Sequence, residues 1–561
     1  MEGNNKITGA RFIAETLKGY GVTHVFYVDA ILRKTMVDLE DLGIGRILTH
    51  SEKAAAYMAD GYARVSLKPG VCLAQSVGAA NLAAGLQDAY LGRSAVVALT
   101  GKKPPLAQYR NAYQEIEHAP LFAPVTKYSA DVVAVEQLPY LLRQAFREAT
   151  SGTPRPVHLD LMGHSARNIE AAEAALPVVV EDAHTRFPAY RPQPADADIE
   201  RAARAIMGAK RPVIVAGGGV RLSSAAAEVV ALAEKLTIPV ATSVNGKGTV
   251  AQDHPLGVGV VGSYSVRCAN QVVSEADLVI YVGSNTGDQV THGWQIPRPG
   301  TRIVQIDINP VEIGRSYPGA IGIAADARQA LARLVDAVDG AAIDPSWIRR
   351  AQDIVKVWRE EVEPLRRSDA IPIRPERLCK DLSELLPQNA VLVADTGYSA
   401  IWTATMVHLN QPGQTYVRAA GSLGWSFPAA LGAKCAAPER PVVCFCGDGG
   451  FWYHLAEMET ARRYGINTLT IVNNNGGLAQ GIEDIQGVYR DRGGNPEELY
   501  RFQPVSFAQL AEDMGCMGIR VEHPEDIADA IRRGLAADRP AVVEVMTGLQ
   551  YRGPKPWAPP D

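Results

Sequence analysis

Cysteine, long apolar runs and uncompensated charge are all scarce in this sequence. Seven cysteines are spread over 561 residues, and the only close pair, Cys444 and Cys446, flanks Phe445 inside an apolar run. That spacing offers no zinc ligand set, and a secreted disulfide framework needs many more sulfurs. Reduced, buried thiols in a cytoplasmic protein are therefore expected. No apolar stretch approaches the roughly 18 residues of a membrane span, and the polar start Met1 to Lys6 is unlike a signal peptide. The formal charge is only −5, from 56 basic and 61 acidic residues. Its basic pairs, Lys102-Lys103, Arg366-Arg367 and Arg532-Arg533, are short and scattered. Nucleic acid and membrane are thus not expected as partners.

What is present is ordinary globular material, 47% apolar and 21% charged, which excludes disorder and collagen-like structure. At roughly 100 to 200 residues per domain the length predicts about three or four domains. Short β-rich apolar runs alternate with Ala-rich helical stretches throughout. Examples are Val22 to Val28, Val71 to Gln75, Ala95 to Thr100, Pro212 to Ala216, Leu278 to Val282, Arg302 to Ile306, Ala390 to Ala394, Pro441 to Cys446 and Thr468 to Asn473. Near-continuous apolar strands between helices predict parallel sheets covered on both faces, so the fold class is α/β. A proline-rich stretch over 174–196 reads as an extended linker. A second crossing follows a helix expected from Trp347 to Arg367. Three blocks result, 1–175, 190–345 and 365–545, with 546–561 as a C-terminal arm.

The richest chemistry lies in the third block. A buried strand ending at Cys446 leads into Gly447-Asp448-Gly449-Gly450, a helix expected from Phe451 to Tyr464, and a second strand ending in Asn473-Asn474-Asn475. In such a βαβ unit the carboxyl ends of both strands share one sheet edge, so Asp448 and Asn475 become neighbours. A carboxylate, an amide and backbone carbonyls are hard oxygen donors suited to Mg²⁺, and the glycines let backbone N–H groups approach a diphosphate. The expected ligand is a magnesium diphosphate.

With these motifs the chain resembles the thiamine diphosphate (ThDP) enzymes of the acetolactate synthase, pyruvate oxidase and benzoylformate decarboxylase group. The resemblance implies metal ligation by Asp448, Asn475 and the Gly477 carbonyl, with Asn473 or Asn474 the choice if the register slips. It extends to Thr49-His50-Ser51-Glu52, Ala59 to Arg64 and Asp88-Ala89-Tyr90. It makes Glu52 the activating acid that hydrogen-bonds N1′ of the aminopyrimidine. It places further diphosphate contacts on Gly397, Tyr398 and Ser399, along with Gly447, Gly449 and Gly450. Gly421 then faces the 4′-amino group, and Leu423 is the wedge that bends the cofactor. Gln114 becomes a substrate-side amide and His118 a proton shuttle, while Gln480 reaches toward the pocket. Since Glu52 and the metal ligands lie in different blocks, the family's arrangement implies a homodimer or homotetramer. The middle block is Rossmann-like, and its Gly217-Gly218-Gly219-Val220 lacks the dinucleotide fingerprint. In relatives this block holds FAD, ADP or nothing.

Three departures bear on the substrate. Tyr27-Val28-Asp29-Ala30 replaces a Gly-x-Pro-Gly turn, placing an acidic Asp29 at the substrate side. His50-Ser51-Glu52 replaces Arg-His-Glu, and Gln75-Ser76-Val77-Gly78 replaces Ser-Gly-Pro-Gly. The leading expectation is a ThDP- and Mg²⁺-dependent, acetolactate synthase-like decarboxylation and carboligation of a small-molecule carbonyl substrate. A lyase or hydrolase of 2-hydroxy ketones or 1,2-diketones is the alternative within the class. An FAD-dependent oxidoreductase or a non-catalytic ThDP-binding homologue is the alternative outside it.

Overall fold

The structure, a computed structural model, describes residues 6–339 and 343–560. The start Met1 to Asn5, residues 340–342 and Asp561 at the end of the arm lie outside the described residues.

Three six-stranded sheets, each wholly parallel, carry the fold. The first runs Gly45–Leu48, His24–Tyr27, Gly70–Gln75, Val96–Lys102, Val157–Met162 and Tyr128–Val132 across the sheet. In the second the order is Gly257–Val260, Val240–Thr242, Pro212–Ala216, Leu278–Val282, Arg302–Asp307 and Ile321–Ala324. The third is Thr415–Arg418, Val391–Ala394, Val442–Gly447, Leu469–Asn474, Ala541–Met546 and Met517–Val521. Central strands such as Val71 to Ala74 and Val442 to Cys446 are buried along their whole length, as two helix-covered faces require. The chain is an α/β protein of three parallel-sheet units.

The first and third units are fused rather than tethered. One buried apolar cluster runs from Phe12, Val97 and Leu159 to Trp425, Phe427 and Cys444. Helix Glu52–Ser66 lies against helix Ser426–Ala436, and two glycines permit the approach. A Cβ on Gly61 would lie 2.1 Å from the Ala429 carbonyl oxygen, and one on Gly432 would lie 1.9 Å from that of Met58. The middle unit keeps a core of its own around Ile214, Val279 and Ile280.

Between Ala174 and Asp196 the chain is irregular apart from one short 3₁₀ turn, and the helix expected from Trp347 spans Pro345–Arg366. The helix expected over 451–464 is instead broken into Asp448–Trp452 and Glu457–Tyr464. Between them, N–H groups of Tyr453, His454, Glu457 and Met458 bond carbonyls three residues back, which tightens the backbone into turns. This bend buries Phe451 against Phe427 and Phe507 and sets His454 edge-on to Tyr57. The arm crosses from the third unit to the second. Lys555 pairs with Glu483 at 2.9 Å, and Asn270 Nδ2 donates to the Trp557 carbonyl at 2.9 Å. All seven cysteines are free, and six of them are buried. Among the described residues no helix is long and apolar enough to cross a membrane.

Candidate cofactor site

Strands Val442–Gly447 and Leu469–Asn474 pair directly, with Gly447 opposite Asn473, so the segments that leave them emerge side by side. Asp448 follows the first strand and is 2% exposed. Among the described residues it has no ion-pair partner. Burial pushes its carboxyl up to about 7, although backbone N–H groups including those of Gly477 and Asn475 point at it and favour its charge. A buried carboxyl without a cation, ringed by amides and carbonyls, suits a small divalent ion. The donor set therefore fits Mg²⁺.

The three asparagines play different parts. Asn473 Oδ1 accepts from the Thr547 hydroxyl at 2.7 Å. Asn474 donates to Glu544 at 2.7 Å and accepts from the Gly476 N–H at 3.1 Å. Both are tied down by neighbouring backbone or strands. Asn475 is half-buried, and its side chain only accepts from the Gly477 N–H at 3.2 Å. Gly477 lies under the next segment, where a Cβ would meet the Tyr500 carbonyl oxygen at 2.2 Å.

Beside this edge, strand Val391–Ala394 delivers Asp395 and Gly397. Gly397 has φ +64°, a left-handed conformation that favours glycine, and starts helix Tyr398–Met406. Ser399 is buried, with its Oγ 3.5 Å from where a Cβ on Gly447 would sit, so the 397–399 and 447–450 segments share one corner. Tyr398 packs against Trp402 and the arm at Gly553. Gln480 reaches this corner too, its Oε1 3.0 Å from a Cβ placed on Gly397 and its Nε2 bonded to the Tyr264 hydroxyl at 3.3 Å.

The loop bearing Gly421 and Leu423 is clamped at both ends by buried carboxylates. On one side Asp88, from helix Gly78–Gly92 of the first unit, accepts the N–H groups of Ala420, Gly421 and Ser422 at 2.9 to 3.1 Å. Arg64 links that carboxylate, at 2.8 Å, to Asp60, which in turn accepts from the Trp425 indole at 2.9 Å. On the other side Asp395 accepts from Gly424 N–H and from the N–H and hydroxyl of Ser426. Leu423 is left half-exposed on the loop between them.

Glu52 opens helix Glu52–Ser66, whose N-cap Ser51 accepts from the Ala54 N–H at 3.1 Å. Its carboxylate takes a hydrogen bond from Asn81 at 3.2 Å and lies against Gly78, where a Cβ would come within 2.4 Å of Oε1. Gln75 bonds Gln114 side chain to side chain at 3.0 Å, and the Ser76 hydroxyl donates to the Gln114 carbonyl. His118 is buried, 2.9 Å from both Asp160 and the Ser76 carbonyl. Asp29 is exposed and paired with Arg33 at 3.0 Å, a bond that holds its carboxyl below the usual range. Among the described residues no hydrogen bond or ion pair joins Glu52 to the 395–399, 421–424, 447–450 or 473–478 segments. Asp88, Arg64 and Asp395, the residues that shape the loop, carry no signature of their role. Only their place inside the Ala59 to Arg64, Asp88 to Tyr90 and Ala394 to Ser399 motifs marks them.

Comparison with known proteins matches three family models in order. These are the N-terminal TPP binding domain of thiamine pyrophosphate enzymes over residues 7–121, their central domain over 199–334 and their C-terminal TPP binding domain over 395–545. The chain belongs to the thiamine pyrophosphate enzyme family. It is 34% identical to the probable acetolactate synthase large subunit of Methanocaldococcus jannaschii, over 96% of this chain and 91% of that protein. It is 30% identical to acetolactate synthase isozyme 1 large subunit of Escherichia coli, over 99% and 96%. To the acetolactate synthase large subunit of Lactococcus lactis it is 29% identical, over 96% and 92%.

A cavity of about 490 Å³ lies apart from the Asp448 edge, against the central domain of this thiamine pyrophosphate enzyme. Its floor is Gly218, Gly219 and Gly283, just past the carboxyl ends of Pro212–Ala216 and Leu278–Val282. Chain order reverses between these two strands, the switch point where open parallel sheets hold ligands.

Proposed function

We propose that this thiamine pyrophosphate enzyme performs acetolactate synthase-like chemistry, decarboxylating a 2-oxo acid and joining the remaining fragment to a second carbonyl compound. The observation that carries the reading is the single sheet edge holding Asp448, Asn475 and Gly477, in a chain that matches acetolactate synthase large subunits over nearly its whole length. ThDP, when bound, supplies a carbon nucleophile and an electron sink for the bond beside the carbonyl. Asp448, Asn475 and the Gly477 carbonyl would hold Mg²⁺, while Gly397, Tyr398, Ser399, Gly447, Gly449 and Gly450 would surround the diphosphate. The Asp88 and Asp395 clamps fix the loop so that Gly421 and Leu423 meet the pyrimidine side without reorganising. Glu52 holds a proton at the pyrimidine ring nitrogen.

Among the described residues no hydrogen bond or ion pair joins Glu52 to the metal edge of its own chain, which supports a complete site that takes Glu52 from a second copy in a homodimer. Exposed Tyr109 and Tyr113 near Gln114, Val77 at the N-cap of helix Gly78–Gly92 and Leu91 near its end are apolar surface for that pairing. Asp29 is paired with Arg33, which offsets its charge toward a substrate carboxylate. That pairing supports an oxo acid over a diketone or acyloin. The central cavity, rimmed by Arg93, Arg221 and Asn285, would take FAD or ADP. Isothermal titration of the purified protein with ThDP and Mg²⁺ tests the site; saturable binding that requires both is expected, and ThDP binding indifferent to Mg²⁺ would refute the metal assignment.

A further inference from the structure

Below the Gln75–Gly78 turn runs a buried chain of hydrogen bonds whose donors and acceptors can be assigned one by one. Ser129 Oγ lies 2.9 Å from His158 Nδ1, His158 Nε2 lies 2.6 Å from Thr100 Oγ1, and the Thr100 hydroxyl donates to Asp160 Oδ1 at 2.8 Å. Asp160 Oδ2 lies 2.9 Å from His118 Nδ1, and His118 Nε2 lies 2.9 Å from the Ser76 carbonyl oxygen. Thr100 has one proton and spends it on Asp160, so it must accept from His158 Nε2–H. Burial lowers the His158 ring to about 3, so it is neutral and its Nδ1 accepts from the Ser129 hydroxyl.

His118 has no such choice. A carbonyl oxygen cannot donate, and an ionised carboxylate cannot either, so both ring nitrogens of His118 must carry protons. Burial is the largest single influence on Asp160 and works against its charge, but the His118 and Thr100 hydrogen bonds and the two neighbouring imidazoles together outweigh it and hold that carboxyl below its ordinary range. The other charges facing the pair are Lys102, 3.9 Å from Asp160, and Asp131, which pairs with Lys102 at 2.8 Å. The uncharged Phe122 ring stacks on His158, and His118 is edge-on to both of those rings. His118, His158 and Asp160 place their ligand atoms within 4.8 Å of one another, yet every one of those atoms already has a partner, so they do not converge on an ion.

The acceptor of the second His118 proton gives the ion its purpose. Ser76 has φ +32°, in the left-handed region that a non-glycine residue adopts only when held. Its hydroxyl and its neighbour Gln75 grip Gln114, and two residues on Gly78 touches the Glu52 carboxylate. We propose that His118, held through both ring nitrogens by Asp160 and the Ser76 carbonyl, is a positioning residue that pins the Gln75–Gly78 turn, and with it Glu52 and Gln114, rather than a group that exchanges protons with substrate. Its effect on turnover rests on the assignment of Glu52 as the activating acid; its protonation state does not.

Solid-state ¹⁵N NMR of the full-length protein labelled on histidine tests the state directly, with His118 assigned by comparison with His118→Gln. Two N–H signals at neutral pH are expected for the wild type, with or without ThDP. In Asp160→Asn the new amide donates to Nδ1, and one of the two becomes an unprotonated ring nitrogen. A single N–H on His118 in the wild type overturns the proposal, and that spectrum decides it even if His118→Gln does not fold. In turnover, His118→Gln should lose on the order of 100-fold in kcat through misplaced groups. The shape of its pH profile should be unchanged, and added imidazole should give no rescue. Loss of one limb of that profile with recovery by imidazole would establish a shuttle instead.

Discussion

Removing the Asp88 carboxylate tests how the pyrimidine-side loop is held. Asp88 is fully buried and takes three backbone N–H groups, from Ala420, Gly421 and Ser422, plus Arg64. Hydrogen bonds to a charged group contribute about 1.5–3 kcal/mol each, so three would suggest roughly 4.5–9 kcal/mol. Two circumstances reduce that sum. Arg64 keeps its bidentate bond to Asp60 at 2.8 and 2.6 Å, so Asp88→Ala does not leave an orphaned cation. Gly421 is exposed, so water can reach its freed N–H. The expected cost is therefore about 3–5 kcal/mol, in the lower part of that range and below it. Asp88→Asn, which retains an acceptor but turns an NH₂ toward the loop's own donors, should fall between wild type and Asp88→Ala. Urea unfolding of the three proteins at one concentration measures the stability. ThDP titration followed by tryptophan fluorescence measures the loop, since Trp425 sits at its end. Affinity for ThDP should drop at least about tenfold, the factor given by only 1.4 kcal/mol of loop reorganisation. An Asp88→Ala protein within about 1 kcal/mol of wild type, with unchanged ThDP affinity, would refute the clamp.

Further expectations follow from individual groups. Glu52→Gln should bind ThDP with near-normal affinity while exchange of the thiazolium C2 proton slows by orders of magnitude; unchanged exchange by NMR would remove Glu52 from its role. Asp448→Ala should abolish Mg²⁺-dependent ThDP binding, measured by calorimetry. The rings of buried His158 and His454 and of half-buried His408 are lowered from 6.5 to about 3, 4 and 3 respectively. Burial favours their neutral forms, so the stability they confer is present above about pH 6.5 and is lost as pH falls toward 3. Urea midpoints should drop across that window, and His408→Gln should shallow the slope. If the central cavity holds FAD, the purified protein is yellow and shows flavin absorbance, whereas a colourless preparation that binds ADP assigns the cavity to the nucleotide alone.

Much of the architecture is legible from local pattern. Buried parallel strands are apolar throughout, so Pro212–Ala216 and Leu278–Val282 can be read residue by residue, and the Asp448 edge follows from one βαβ unit. Edge strands such as Tyr128–Val132 and Met517–Val521, with one side toward solvent, mix polar and apolar residues and blend into their surroundings. The break after Trp452 escapes notice because its cause is tertiary, the burial of Phe451 and the docking of His454 on Tyr57. The same applies to Asp88, whose partners on the loop lie more than 330 residues away, and to His118, whose sequence neighbours give no hint of Asp160. Asp29 is the reverse case. Alone it looks like a determinant of substrate charge, and only the structure shows it paired with Arg33 four residues later.

The most direct test of the whole account is product analysis. Purified protein with ThDP and Mg²⁺ is given carbon-13-labelled pyruvate, and the mixture is read by NMR and mass spectrometry. The account predicts labelled acetolactate and carbon dioxide, both abolished in Glu52→Gln and in Asp448→Ala. Absence of any ThDP-dependent product from pyruvate and other 2-oxo acids, in protein shown to bind the cofactor, would contradict it.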